Sequence, residues 1–158
     1  MKFLTMLMTA LILSVFSGTA VYTVDGSSME PALHAGERIK VDKRYYKNHD
    51  VRRGDLILFQ AEGKSYIKRV VGLPGERVEN RGGTVWIDGK VLEESYLGAQ
   101  ARETYEAENT DDPSGKSSTG TAGYYVLGDN RMDSLDSRMI GRIADEAIRG
   151  KVTGGSLH

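Results

Sequence analysis

The chain has 158 residues, 21 Lys and Arg against 22 Asp and Glu, and no Cys. That length suits one domain with at most a small appendage. The formal net charge of -1 argues against bulk nucleic-acid binding, which needs a basic excess. The lack of Cys excludes disulfides, Cys-ligated zinc, iron–sulfur clusters and thiol nucleophiles. The three His (His34, His49, His158) are scattered, so no His-built metal site is expected. Nineteen Gly and 39% hydrophobic residues point to a turn-rich, β-rich body.

Residues 3–24 carry no charge. As a helix this run of roughly 22 residues spans about 33 Å, against a hydrocarbon core of roughly 30 Å. The preferred reading is a retained membrane anchor over residues 1–24. A cleaved secretory signal is the competing one: Lys2 supplies its basic start, and Gly18 and Ala20 are small residues at -3 and -1 of a cut. A buried helix is the third. Lys2 favours a cytoplasmic N-terminus, whereas Arg38, Lys40, Lys43 and Arg44 at the other end count against it, so charge alone leaves the orientation open.

Residues 25–152 read as the body. Ile39 and Val41 alternate with Arg38, Lys40 and Asp42, a half-buried strand. Residues 56–59 are a short apolar run, and residues 66–71 a strand ended by Gly72-Leu73-Pro74-Gly75. Residues 85–87 and 91–92 flank Asp88-Gly89, a hairpin signal. Residues 124–127 lead into Gly128-Asp129-Asn130. Short strands at this spacing predict a mostly β domain. Residues 98–123 are polar and read as a mobile surface loop, and residues 153–158 as a flexible tail.

Three places have the residues for chemistry. On a strand, Lys68 shares a face with Tyr66 and Val70. Such a lysine either snorkels from an edge or is buried, and burial lowers its pKa and makes it a base. Ser27 and Ser28 follow Asp25-Gly26. A serine there is either an exposed nucleophile or a turn residue. Residues 128–138 form a polar loop directly after an apolar strand, a common mounting for a site.

Together these segments are specific. Ser28-Met29-Glu30-Pro31, Tyr66-Ile67-Lys68-Arg69-Val70-Val71-Gly72-Leu73-Pro74-Gly75-Glu76, and Gly128-Asp129-Asn130-Arg131 with Ser134, Asp136, Ser137 and Arg138 resemble the ordered boxes of bacterial type I signal peptidases, of the Gram-positive type. The likeness runs from about Gly26 to Val152. It implies a mostly antiparallel β domain of two sheets behind one N-terminal transmembrane helix. It also implies a single-pass protein of the cell membrane with its catalytic domain on the extracytoplasmic side.

By the same resemblance Ser28 is the nucleophile and Lys68 the general base. Ser134 orients the lysine, and Asp136 and Arg138 form a structural ion pair. The Ser28 backbone N–H serves the oxyanion hole. In some relatives a hydroxyl at the position of Gly26 adds a second donor; here that side chain is missing. Ala32 stands where the family usually has Thr. Val24, Met29, Leu33, Tyr66 and Ile67 match pocket residues that select small side chains at -1 and -3 of a pre-protein, the substrate adding as a strand. The implied partners are pre-protein signal peptides and the lipid bilayer; nucleic acid, metal and cofactor are not. A specialised Ser–Lys processor, a non-catalytic accessory for surface-protein assembly and a self-cleaving repressor are the alternatives. The accessory is disfavoured by the presence of both Ser28 and Lys68, and the repressor by the apolar N-terminus.

Overall fold

The computed structural model describes residues 18–98 and 122–155. Its strands are β1 (Thr19–Thr23), β2 (Arg38–Asp42), β3 (Leu56–Ala61), β4 (Lys64–Gly72), β5 (Val78–Arg81), β6 (Thr84–Ile87), β7 (Lys90–Val91), β8 (Tyr125–Leu127) and β9 (Ile148–Gly154). They make two antiparallel sheets. One has six strands in the order β1-β2-β9-β3-β4-β8, and the other has three in the order β5-β6-β7. A four-residue helix, α1 (Ser137–Ile140), follows β8. This is the mostly β, two-sheet architecture that the sequence predicts.

Strand β3 lies inside the larger sheet, between β4 and β9. That explains its unbroken apolar run: Ile57 and Phe59 enter one core cluster with Val70 and Val126. Leu58 enters another, with Val24, Met29, Leu33, Ile39 and Val41. A strand covered on both faces needs no polar alternation. A third cluster joins Val71, Tyr125 and Leu127 to Val78 and Val85 of the small sheet. The β6–β7 turn has Asp88 at φ 48 and Gly89 at φ 78, both left-handed, as a tight two-residue hairpin requires.

The segment between β1 and β2 folds back over the sheet. Val24 N–H donates to Glu37 O at 2.8 Å and Gly36 N–H to Val24 O at 2.9 Å, closing it at its base. Met29 and Leu33 plug it into the core at 2% and 4% exposure. Each such burial stabilises by about 1.5–3 kcal/mol. Ser28, next to the Met29 plug, is thereby carried toward β4.

Two boundaries differ from the expectation. Residues 19–23, placed with the membrane anchor, form β1, paired with β2 from Thr19↔Asp42 to Thr23↔Arg38. Ala20 and Tyr22 face inward, and Thr19, Val21 and Thr23 face out. An uncharged strand that follows an uncharged run has no hydropathy step to mark it. Residues 153 and 154, placed in the tail, complete β9, with Gly154 opposite Lys40. Backbone pairing with β2 holds them despite their glycine-rich sequence. The rest of the expected anchor, the 99–121 part of the expected mobile loop, and residues 156–158 lie outside the described residues. Among the described residues no helix is long and apolar enough to cross a membrane.

Candidate active site

Antiparallel pairing sets Lys68 opposite Ile57, so its side chain leaves the sheet on an apolar face. It is 3% exposed. Its Nζ lies 2.7 Å from Ser28 Oγ and donates to Ile67 O at 3.0 Å. Burial pushes its pKa below the ordinary 10.5, against an upward pull from Asp136 and Asp129. Desolvation wins because neither carboxylate pairs with the amine directly; each has its own arginine. The pair brought together is therefore a hydroxyl and an amine biased toward its neutral form.

The arginines account for the loop. Asp136, with 0% exposure, accepts from Arg138 Nε at 2.8 Å, Arg138 Nη2 at 2.9 Å and Gly128 N–H at 3.0 Å. It also caps α1 by accepting from Arg138 N–H. Asp136 and Arg138 thus form a buried pair that ties the end of β8 to the loop. Asp129 does the same one strand over. Arg69 donates to it twice, at 2.8 and 2.6 Å, and also to Gly54 O at 3.0 Å. This bidentate geometry is the strong form of the Arg–carboxylate bond. Arg69 and Asp129 lie within the segments that carry the resemblance, yet residue order alone gives neither a role.

A third pair joins Arg131 to Glu94, a residue outside those segments. Glu94 receives both terminal nitrogens of Arg131, whose Nε donates to Gly128 O at 2.9 Å. Tyr96 OH donates to Glu94 Oε1 at 2.5 Å, and the Arg69 guanidinium stacks 4.1 Å from the Tyr96 ring centroid. Glu94 lies in a polar stretch with no periodicity, so nothing in the sequence marks it as buried.

Ser134 is buried, and its Oγ has no hydrogen-bond partner among the described residues. The expected contact with Lys68 is not made in this arrangement. Ser134 packs instead against Gly128, where a Cβ would fall 2.2 Å from Ser134 Oγ and 2.5 Å from Ser28 O. Gly26 has φ 84 and open space where a side chain would be.

A cleft of about 440 Å³ opens over the dyad. Val24, Met29, Tyr66 and Ile67 line it, together with Ser28, Lys68, Asp133 and Leu135. Leu33 does not; it lies behind the cleft in the core. Strand β8 pairs with β4 only from Arg69 onward. Among the described residues, no strand covers residues 64–68 of β4 on the side away from β3. A second cleft, of about 400 Å³ beside Tyr46 and Arg149, holds neither serine nor Lys68.

A serine hydroxyl against a desolvated lysine, under a cleft with an open strand edge, has the geometry of a serine hydrolase with a lysine base. Comparison with known proteins narrows this class. The chain belongs to the signal peptidase family: the family model described as signal peptidase, peptidase S26, matches residues 1–154. It is 37% identical to signal peptidase IB of Staphylococcus aureus over 142 residues, 84% of this chain and 74% of that protein. It is 38% identical to signal peptidase I of Bacillus amyloliquefaciens over 133 residues, 82% of this chain and 69% of that protein. Among solved structures, a signal peptidase I from Enterococcus faecalis V583 superposes with a TM-score of 0.57 at 33% identity, covering 66% of this chain and 98% of that one.

Proposed function

We propose that the protein is a membrane-anchored serine endopeptidase that removes N-terminal signal peptides from exported pre-proteins. The observation that carries the mechanism is the 2.7 Å approach of Lys68 Nζ to Ser28 Oγ in a buried setting. Ser28 Oγ attacks the scissile carbonyl and neutral Lys68 takes its proton. The tetrahedral intermediate collapses as Lys68 returns that proton to the leaving amine. Water, deprotonated by the same lysine, then attacks the acyl-enzyme; the bond to Ser28 Oγ breaks, Lys68 returns the proton to that oxygen, and the signal peptide leaves with a free carboxyl group.

The protonated lysine has three N–H donors. Ile67 O and Ser28 Oγ engage two of them. In this reading the buried Ser134 Oγ, without a hydrogen-bond partner among the described residues, accepts from the third once the proton has moved and the lysine has turned toward it. Ser28 N–H, without an acceptor among the described residues, supplies the oxyanion donor. Gly26 has no side chain to add a second.

The substrate lies as an added strand along residues 64–68, a free edge that supports this mode. Val24, Met29, Tyr66 and Ile67 limit its -1 and -3 side chains to small ones. The anchor is the uncharged run before β1, with the body on the extracytoplasmic face of the cell membrane.

Cleavage of a purified pre-protein with an Ala-x-Ala site, by the full chain in detergent, tests the reading. N-terminal sequencing of the product is expected to place the cut after the -1 Ala, and Ser28→Ala and Lys68→Ala are expected to abolish it. Activity surviving Lys68→Ala overturns the mechanism.

A further inference from the structure

One cross-link at the mouth of the cleft has no part in the mechanism above. Ser27 Oγ donates to Asp133 Oδ2 at 2.8 Å, joining positions 106 residues apart in the chain. The same loop grips the nucleophile's backbone. Asn130 N–H donates to Ser28 O at 3.1 Å, and Asn130 Nδ2 to Ser27 O at 3.3 Å. Asp133 N–H closes back on Asn130 O at 3.1 Å, so both residues belong to one turn. Residues 130–133 thus contact the carbonyls on either side of the Ser28 Cα and the side chain before it, while Ser27 O also accepts from Glu30 N–H at 3.0 Å.

Such a grip has a physical reason. Upstream of Ser28 the chain passes through Gly26, at φ 84 with no atom within 4 Å of where a side chain would begin. No neighbouring atom would meet a side chain there, and the nearest tied point upstream is Val24, bonded to Glu37 and Gly36. Downstream, Met29 is anchored in the core at 2% exposure. Ser28 therefore sits between a plug packed in the core and the more open stretch of residues 25–27, and that open side is where the Ser27–Asp133 bond acts.

We propose that Ser27 and Asp133 are positioning residues for the Ser28 nucleophile. Their hydrogen bond adds a side-chain tie to the peptide before Ser28, whose carbonyl Glu30 N–H and Asn130 Nδ2 already engage, so that Oγ stays on Lys68 Nζ while the substrate enters. This rests on Ser28 acting as the nucleophile. Both residues line the cleft, and their bond is exposed in the free enzyme. A substrate filling the cleft excludes water from it, and a bond to a carboxylate strengthens as the local dielectric falls. The clasp tightens in the complex, so its loss acts on kcat rather than on KM. The carboxylates that pull on Lys68 are Asp136 and Asp129; Asp133 acts through geometry.

The test uses the full chain in detergent with the Ala-x-Ala pre-protein. Ser27→Ala and Asp133→Ala are each expected to lower kcat about tenfold, the loss of one hydrogen bond, with KM within about twofold. The double variant is expected to lose about tenfold and not a hundredfold, because both changes remove one interaction. Asp133→Asn retains an acceptor oxygen and is expected to recover to within about threefold of the parent. The midpoint of the pH–kcat profile stays where it is in all four. Hydrogen exchange over residues 26–30, read without substrate, is expected to run about tenfold faster in Asp133→Ala. Unchanged kcat in Asp133→Ala, fully multiplicative effects in the double variant, or unchanged exchange overturns the proposal. A parent enzyme that cleaves no pre-protein, yet shows the exchange response, refutes the peptidase reading and upholds the clasp.

Discussion

Gly128 is the tightest point of the site, and replacing it with alanine is the sharpest perturbation the structure offers. Its backbone is outside the left-handed region, so alanine brings no conformational strain of its own. The new methyl would fall 2.2 Å from Ser134 Oγ, 2.5 Å from Ser134 Cβ and 2.5 Å from Ser28 O, where ordinary contact begins at 3.4 Å. A rotation of Ser134 relieves only the first. The other two need the Ser134 and Ser28 backbones to retreat by about 0.9 Å. Overpacking of this kind costs about 1–3 kcal/mol. A displacement near 1 Å at a reacting group costs about a hundredfold in rate. The expected result is a hundredfold lower kcat on the Ala-x-Ala pre-protein, together with a thermal midpoint lowered by a few degrees. Gly154→Ala, with nothing within 4 Å of its new methyl, is the control and is expected to behave as the parent. A kcat in Gly128→Ala within about threefold of the parent refutes the claim that this contact holds the nucleophile.

Lys68→Met keeps the shape and removes the base; kcat is expected to fall by about 10³-fold or more, while circular dichroism shows an intact fold. In the parent, kcat/KM is expected to rise with pH through a midpoint below 10.5, because the neutral amine is the active form and burial favours it. The same shift has a stability signature. Between the depressed folded pKa and the unfolded 10.5, the unfolded chain binds the Lys68 proton and the folded one does not. Stability against urea is therefore expected to rise with pH across that window, and the Lys68→Met variant to lose this slope. Glu94→Ala strips the carboxylate from Arg131, whose side chain is 2% exposed; it is expected to destabilise by about 3–5 kcal/mol in urea unfolding.

The chemistry was more legible in the sequence than the scaffold that holds it. Ser28 and Lys68 sit in segments whose residue order is distinctive, and a lysine between Tyr66 and Val70 already poses the question of burial. The strands that alternate or run apolar, such as residues 38–42 and 56–59, were legible for the same reason: side-chain period reports which face is covered. β1 was not, because its inward and outward residues are both uncharged. Neither was β9, where Arg149, Gly150 and Lys151 interrupt the alternation. The buried ion pairs were invisible as pairs. Arg69 and Asp129 are 60 residues apart, and Glu94 and Arg131 are 37 apart. Their burial depends on partners brought together from distant parts of the chain. The state of Ser134, buried with no hydrogen-bond partner for its hydroxyl among the described residues, is likewise a property of packing and not of residue order.

The pairing of β1 along the whole of β2 also decides where this protein can be shortened. Gly18 O already accepts from Lys43 N–H at 2.9 Å, so the sheet begins at once where the described chain begins. A soluble form that starts at or before Gly18 keeps β1 and with it the full cover of β2. One that starts after Ala20 loses the partners of Val41 and Asp42. It leaves part of β2 as a raw edge, with unpaired backbone groups above a hydrophobic face, and that is a template for association between chains. A proteolytic nick at that alanine, by whatever agent, would replace the native β1 edge with an uncovered stretch of β2.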